Sequence, residues 1–108
     1  MYTLVKNVSG NMTSLQGHLT ATYQDLVEVF GEPTYSDASA DGKVNTEWNM
    51  MLKDNDGSEF IATIYDWKDY DGGRRSRDGN DYDWHIGGHN RMTAAVVTTY
   101  FNSVLQPA

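Results

Sequence analysis

Cysteine is absent from the 108 residues, and with it go disulfides, thiolate zinc sites, iron–sulfur clusters and cysteine nucleophiles. Bases are scarce. Eight Lys and Arg stand against fifteen Asp and Glu, a formal charge of −7, so direct nonspecific binding to nucleic acid is not expected. Long apolar runs are missing too. The uncharged stretch from Met92 to Ala108 is broken by Thr93, Thr98, Thr99, Asn102 and Ser103, whereas a membrane span takes about 20 mostly apolar residues. Met1 to Lys6 has no apolar segment of the length a secretory signal needs. The expectation is a soluble, cytoplasmic chain with no membrane partner. Catalytic signatures are also lacking, with no Gly-x-Ser-x-Gly, no Ser-x-x-Lys and no phosphate loop, so the chain is expected not to be an enzyme.

What is present suffices for one domain spanning residues 1–108. Hydrophobic residues make up 39% and aromatics 12%, enough to build a core. Met1 to Val8 alternates loosely as a strand, and Leu15 to Ala21 is a second weak strand or the lead-in to a helix. Thr22 and Asp25 then have the spacing of a capping box, and Tyr23, Leu26, Val27 and Phe30 fall at i, i+3, i+4 and i+7 on one helical face. Gly31 and Pro33 stop that helix. Val44, Thr46, Trp48, Met50 and Leu52 alternate with more polar neighbours as a half-buried strand, and Asp54–Gly57 is a hairpin turn. Phe60 to Trp67 is apolar on both faces, which suits a central strand covered on both sides or one that presents aromatics on its outer face. Lys68 to Asp81 reads as a long polar loop in which only Tyr70 suits a core. Tyr82, Trp84 and Ile86 form a short strand ended by Gly87-Gly88. Asn90 caps a last helix from Arg91 to about Leu105, with Val97, Tyr100, Phe101 and Val104 on its apolar side. The fold class is α+β, an antiparallel sheet of three to four strands with two helices.

The run Thr22-x-x-x-Leu26-Val27-x-x-Phe30-Gly31-x-Pro33, followed by three strands, resembles the helix-then-meander unit of the β-lactamase-inhibitor and outer-membrane-assembly lipoprotein superfamily. That resemblance implies a helix packed on an antiparallel sheet. The family's membrane role does not transfer, because no lipidated Cys is present. The fuller string runs Leu15-x-Gly-x-Leu-Thr-Ala-x-Tyr-x-x-Leu-Val-x-x-Phe-Gly-Glu-Pro-Thr-Tyr, then Ala62 to Lys68 and Trp84 to Gly88. It is similar to small uncharacterised bacteriophage proteins. The resemblance implies a viral accessory protein and no reaction.

Chemistry-bearing residues gather around the long loop. Arg74, Arg75 and Arg77 place three of the eight bases within four residues, and guanidinium forks suit phosphates or an acidic patch. Tyr65, Trp67, Tyr70, Tyr82 and Trp84 flank them, and cross-strand pairing would set Tyr65 or Trp67 opposite Tyr82 or Trp84. The binding candidates are therefore Trp67, Arg74, Arg75, Arg77, Tyr82, Trp84 and His85. His85 and His89 are four apart, but Gly87-Gly88 divides them. A metal pair there, with Asp83 or Asp66 as oxygen ligand, is set against a plainer reading: His85 faces solvent on its strand and His89 starts the last helix. No metal and no cofactor are expected. The aspartates around the loop do not fit a calcium-loop pattern.

Three functions fit these residues. The first is a phage accessory protein of the anti-CRISPR or anti-defence type. It would bind and block a bacterial host defence or nucleic-acid-processing protein, with Asp25, Glu28, Glu32, Asp37 and Asp41 available to imitate a phosphate backbone. The second is a sponge for a signalling nucleotide, its phosphates on the arginines and its base stacked on Trp67, Tyr82 or Trp84. The third is a small hydrolase using Asp66 or Asp83 with His85. A homodimer stays open in each.

Overall fold

The computed structural model describes residues 1–36, 42–69 and 73–105. Its elements run β1 (Thr3–Lys6), β2 (Ser14–Ala21), α1 (Tyr23–Phe30), β3 (Glu47–Lys53), β4 (Glu59–Tyr65), β5 (Tyr82–Gly88) and α2 (Met92–Leu105). The fold is α+β, but the sheet has five antiparallel strands rather than three to four, in the order β1-β3-β4-β5-β2. Both N-terminal segments enter it, one at each edge. β1 pairs with β3 from Thr3↔Lys53 to Lys6↔Met50, and β2 pairs with β5 from Ser14↔Gly88 to Ala21↔Tyr82. A register shift between Leu15 and Gly17 breaks the alternation of β2, which is why its sequence pattern looks weak.

Period two divides the sheet into two faces. The inner face carries Leu19 and Ala21 of β2, Trp48, Met50 and Leu52 of β3, Ala62 and Ile64 of β4, and Trp84 and Ile86 of β5, all buried in one cluster. Both helices close over this cluster. Leu26, Val29 and Phe30 come from α1, and Val96, Val97 and Phe101 from α2. Val29 replaces the expected Val27, which is only half-buried, and Val104 is exposed rather than apolar-side packing. Fully burying one such aliphatic or Phe side chain is worth about 1.5–3 kcal/mol, so this face dominates stability.

The ends of the helices follow from local chemistry. The Thr22 hydroxyl accepts the Asp25 N–H at 3.1 Å, which supplies half of the expected capping box. Gly31 ends α1 at φ 82°, a conformation that an L side chain takes only with strain, and its N–H reaches the Val27 carbonyl at 2.8 Å. At α2 the Asn90 side chain accepts the Met92 N–H at 2.9 Å.

Because β1 and β2 lie on opposite edges, the chain between them must cross the sheet. It does so over the outer face as a strap. The Asn7 N–H bonds the Asn49 carbonyl at 2.9 Å on β3, and Gly10 sits directly on Asn49 and Thr63. A Cβ at Gly10 would stand 2.7 Å from Thr63 Cγ2, closer than van der Waals contact allows, so only glycine fits there. Asn49 and Thr63 are buried by this strap even though they face away from the core. The remainder of the outer face is left uncovered by either helix.

Candidate functional site

One row of side chains crosses the uncovered outer face on four adjacent strands. Register pairs Glu47 with Tyr65, Tyr65 with His85, and His85 with His18. Tyr65 therefore lies opposite His85, not opposite Tyr82 or Trp84 as the sequence suggested. Trp67, just beyond the end of β4, lays its ring near-parallel to the His85 ring, with centroids 5.9 Å apart at 24°, and meets Tyr65 edge-on at 6.3 Å. Trp67 is 39% exposed. Lys43 and Lys68 each hold an ammonium 5.9 Å from its centroid, within cation–π range. The Tyr82 hydroxyl contacts the Trp67 backbone at 3.4 Å, and Arg75 lies close enough to favour the ionised form of that phenol. Burial nonetheless dominates and pushes the Tyr82 phenol above its ordinary range.

At the other end of the row, His18 Nδ1 stands 3.1 Å from Asp83 Oδ2, with both side chains largely in solvent. The His18 and His85 rings meet edge-on with centroids 4.6 Å apart. Burial lowers the His85 pKa first and the neighbouring His18 adds to that, while Asp83 opposes it. Burial likewise raises the Glu47 and Tyr65 pKa values.

The seven sequence-derived candidates divide into two groups. Trp67, Tyr82 and His85 sit together, and Arg74 and Arg75 are exposed on the loop that follows. Trp84 and Arg77 do not belong with them. Trp84 is 0% exposed, packs edge-on against Trp48 at 5.4 Å and donates its indole N–H to the Ala21 carbonyl at 3.0 Å. Its neighbours Leu19, Ala21 and Ile86 make it core, so the expected exposed ring at this position is corrected. Arg77 is drawn inward. Its Nε donates to Thr46 Oγ1 at 2.7 Å and its Nη2 to the carbonyls of Ser36 and Asn45 at 2.9 and 3.2 Å.

Most described residues of the loop are exposed, as its composition suggested, but a few polar side chains at its base turn inward. Asp66, Asp69 and Ser76 are buried. Asp66 Oδ1 accepts the backbone N–H groups of Asn45 and Thr46 at 2.7 and 3.0 Å, and its Oδ2 accepts the Ser76 hydroxyl at 3.0 Å. Asp69 Oδ2 accepts the Ser76 N–H at 2.9 Å, and its carbonyl accepts the Asn45 amide at 2.6 Å. This polar knot stitches the loop to the approach to β3, with its carboxyls turned away from solvent. Asp66 therefore does not serve His85 as a catalytic or metal-binding partner. Tyr70, Asp37 and Asp41 lie outside the described residues.

Two features escaped the sequence reading. His18, on a strand with broken alternation, supplies the second imidazole of the cluster, while His89 turns aside to the Asn11 carbonyl at 3.2 Å. Beside the strap, Asn7, Gly10, Thr34, Tyr35, Glu47 and Asn49 line an open polar cleft of about 430 Å³. Neither has a short-range signal, because each joins segments far apart in the chain.

No family model, no curated protein and no solved structure matches this chain. Among the described residues no helix is long and apolar enough to cross a membrane.

Proposed function

We propose that the chain is a non-catalytic phage accessory protein that binds and blocks a bacterial host protein, with the outer face around Trp67 making the contact. One observation carries this reading: a tryptophan ring exposed on the face that neither helix covers, backed by Tyr65 and His85. Indole rings held rigid by their neighbours are the typical anchors of protein interfaces. Lys43 and Lys68 stand over this ring, and Arg75 acts on the adjacent Tyr82 phenol, on a molecule of net charge −7. That local reversal of sign selects an acidic patch on the partner. An imitation of a phosphate backbone would instead use Asp25, Glu28 and Glu32, which belong to α1 and the residues just after it.

The test is capture from a bacterial lysate with the wild type, Trp67→Ala and Glu28→Lys side by side. The identified partner should bind Trp67→Ala roughly thirtyfold more weakly, the range of an interface anchor, with no change in melting temperature. Loss on Glu28→Lys with full retention on Trp67→Ala would move the contact to α1 and end this assignment.

The same cations favour a second reading, a nucleotide sponge in which Trp67 stacks on the base and Lys43, Lys68 or Arg75 holds phosphate. Trp84 drops out of it because it is buried, and Arg77 because its guanidinium is bonded to Thr46, Ser36 and Asn45. A thermal-shift panel of cyclic nucleotides decides the matter, since a ligand that binds the folded state raises its melting temperature.

A further inference from the structure

We propose that His18, Asp83 and His85 form a binding site for a single divalent transition-metal ion of the Zn²⁺ class. Each of the three side chains offers one ligand atom, and these atoms lie within 4.8 Å of one another. The sheet itself sets this spacing. His18 and His85 are directly opposed across β2 and β5, and Asp83 is two residues from His85 and so points to the same face. In a tetrahedral zinc site with bonds of about 2.0–2.2 Å, ligand atoms stand roughly 3.3 Å apart. His18 Nδ1 and Asp83 Oδ2 already stand at 3.1 Å. The His85 ring packs against both Tyr65 and Trp67, with centroids at 5.5 and 5.9 Å, so one ligand is oriented before any ion arrives.

The donor set specifies the class of ion. Two imidazoles and one carboxylate suit Zn²⁺, Ni²⁺ or Cu²⁺, whereas Ca²⁺ and Mg²⁺ prefer all-oxygen shells. Three protein ligands leave a coordination position open to water or to a donor from outside the chain. The exposure of His18 and Asp83 puts that position on the solvent side of the sheet. Metal binding stands apart from the docking function above: either can hold without the other.

The experiment titrates the EDTA-treated full chain with Zn²⁺ by calorimetry and, in parallel, follows imidazole resonances by NMR during substoichiometric addition of Ni²⁺. One ion per chain is expected. Paramagnetic broadening should strike His18 and His85 and spare His89, which lies on the far side of Gly87-Gly88. Asp83→Asn and His18→Ala, both at exposed side chains, should each weaken Zn²⁺ binding at least tenfold, while His89→Ala leaves it unchanged. Three results each overturn the site: no heat at millimolar Zn²⁺, equal broadening of all three histidines, or undiminished affinity in Asp83→Asn and His18→Ala.

Discussion

Asp66 and Trp67 are neighbours in the chain, yet Asp66 is 0% exposed and Trp67 39% exposed. The first closes the polar knot beneath the loop and the second opens onto the outer face. Hydrophobicity alone would have placed them the other way round. What reverses them is hydrogen-bond supply. The turn into β3 presents the Asn45 and Thr46 N–H groups with no strand partner for them, and a buried carboxyl at position 66 answers both. The knot therefore belongs to stability, whereas the open row is free to serve recognition.

That division can be broken by substitution. Asp66→Ala strands two backbone N–H groups and the bond to Ser76. Unpaired buried donors cost roughly 1–3 kcal/mol each, so a loss of about 3 kcal/mol or more is expected in urea unfolding. A destabilisation no larger than that of an exposed-site change would show the knot to be incidental. The arginines sharpen the contrast within four residues. Arg77→Ala removes three inward bonds and should cost about 2 kcal/mol, while Arg75→Ala should leave the unfolding midpoint where it is.

The smallest effect concerns pH. Burial, with a lesser push from Asp66 and against a hydrogen bond from Asn49, raises the Glu47 pKa above its ordinary 4.5. The folded state then holds this proton more tightly than the unfolded chain does. Below pH 4.5 the carboxyl is neutral in both states, and stability falls as pH rises through the raised native value. Glu47→Gln should melt slightly above the wild type at pH 7 and lose that advantage near pH 4. An advantage that grows on acidification would reverse the sign.

The parts of the fold legible in the sequence were those with local signals. The Thr22 cap, the Gly31 stop, the Asp54–Gly57 turn and the alternation through Trp48, Met50 and Leu52 all survive in the structure. The edge strands were faint because β1 is only four residues long and β2 carries a register shift. For the site, the sequence put Trp67 and His85 on the two flanks of one loop, and the structure brings their rings to 5.9 Å. It misjudged Trp84, whose inward orientation is set by strand parity: it shares β5's inner face with Ile86. His18 was invisible as a partner of His85 because the pairing joins β2 to β5, which α1, β3 and β4 separate in the chain.

The strap has a consequence for biosynthesis. The two edge strands leave the ribosome well before their partners: Thr3 waits for Lys53, and Ser14 for Gly88. Until β3 has been translated β1 has no partner, and β2 waits longer still, for β5. Such distant pairings pay loop-closure entropy before any contact repays it, which places this chain among slow folders, roughly milliseconds to seconds. For a newborn chain, the open backbone of those first strands is the interval in which a chaperone or an unwanted neighbour finds it.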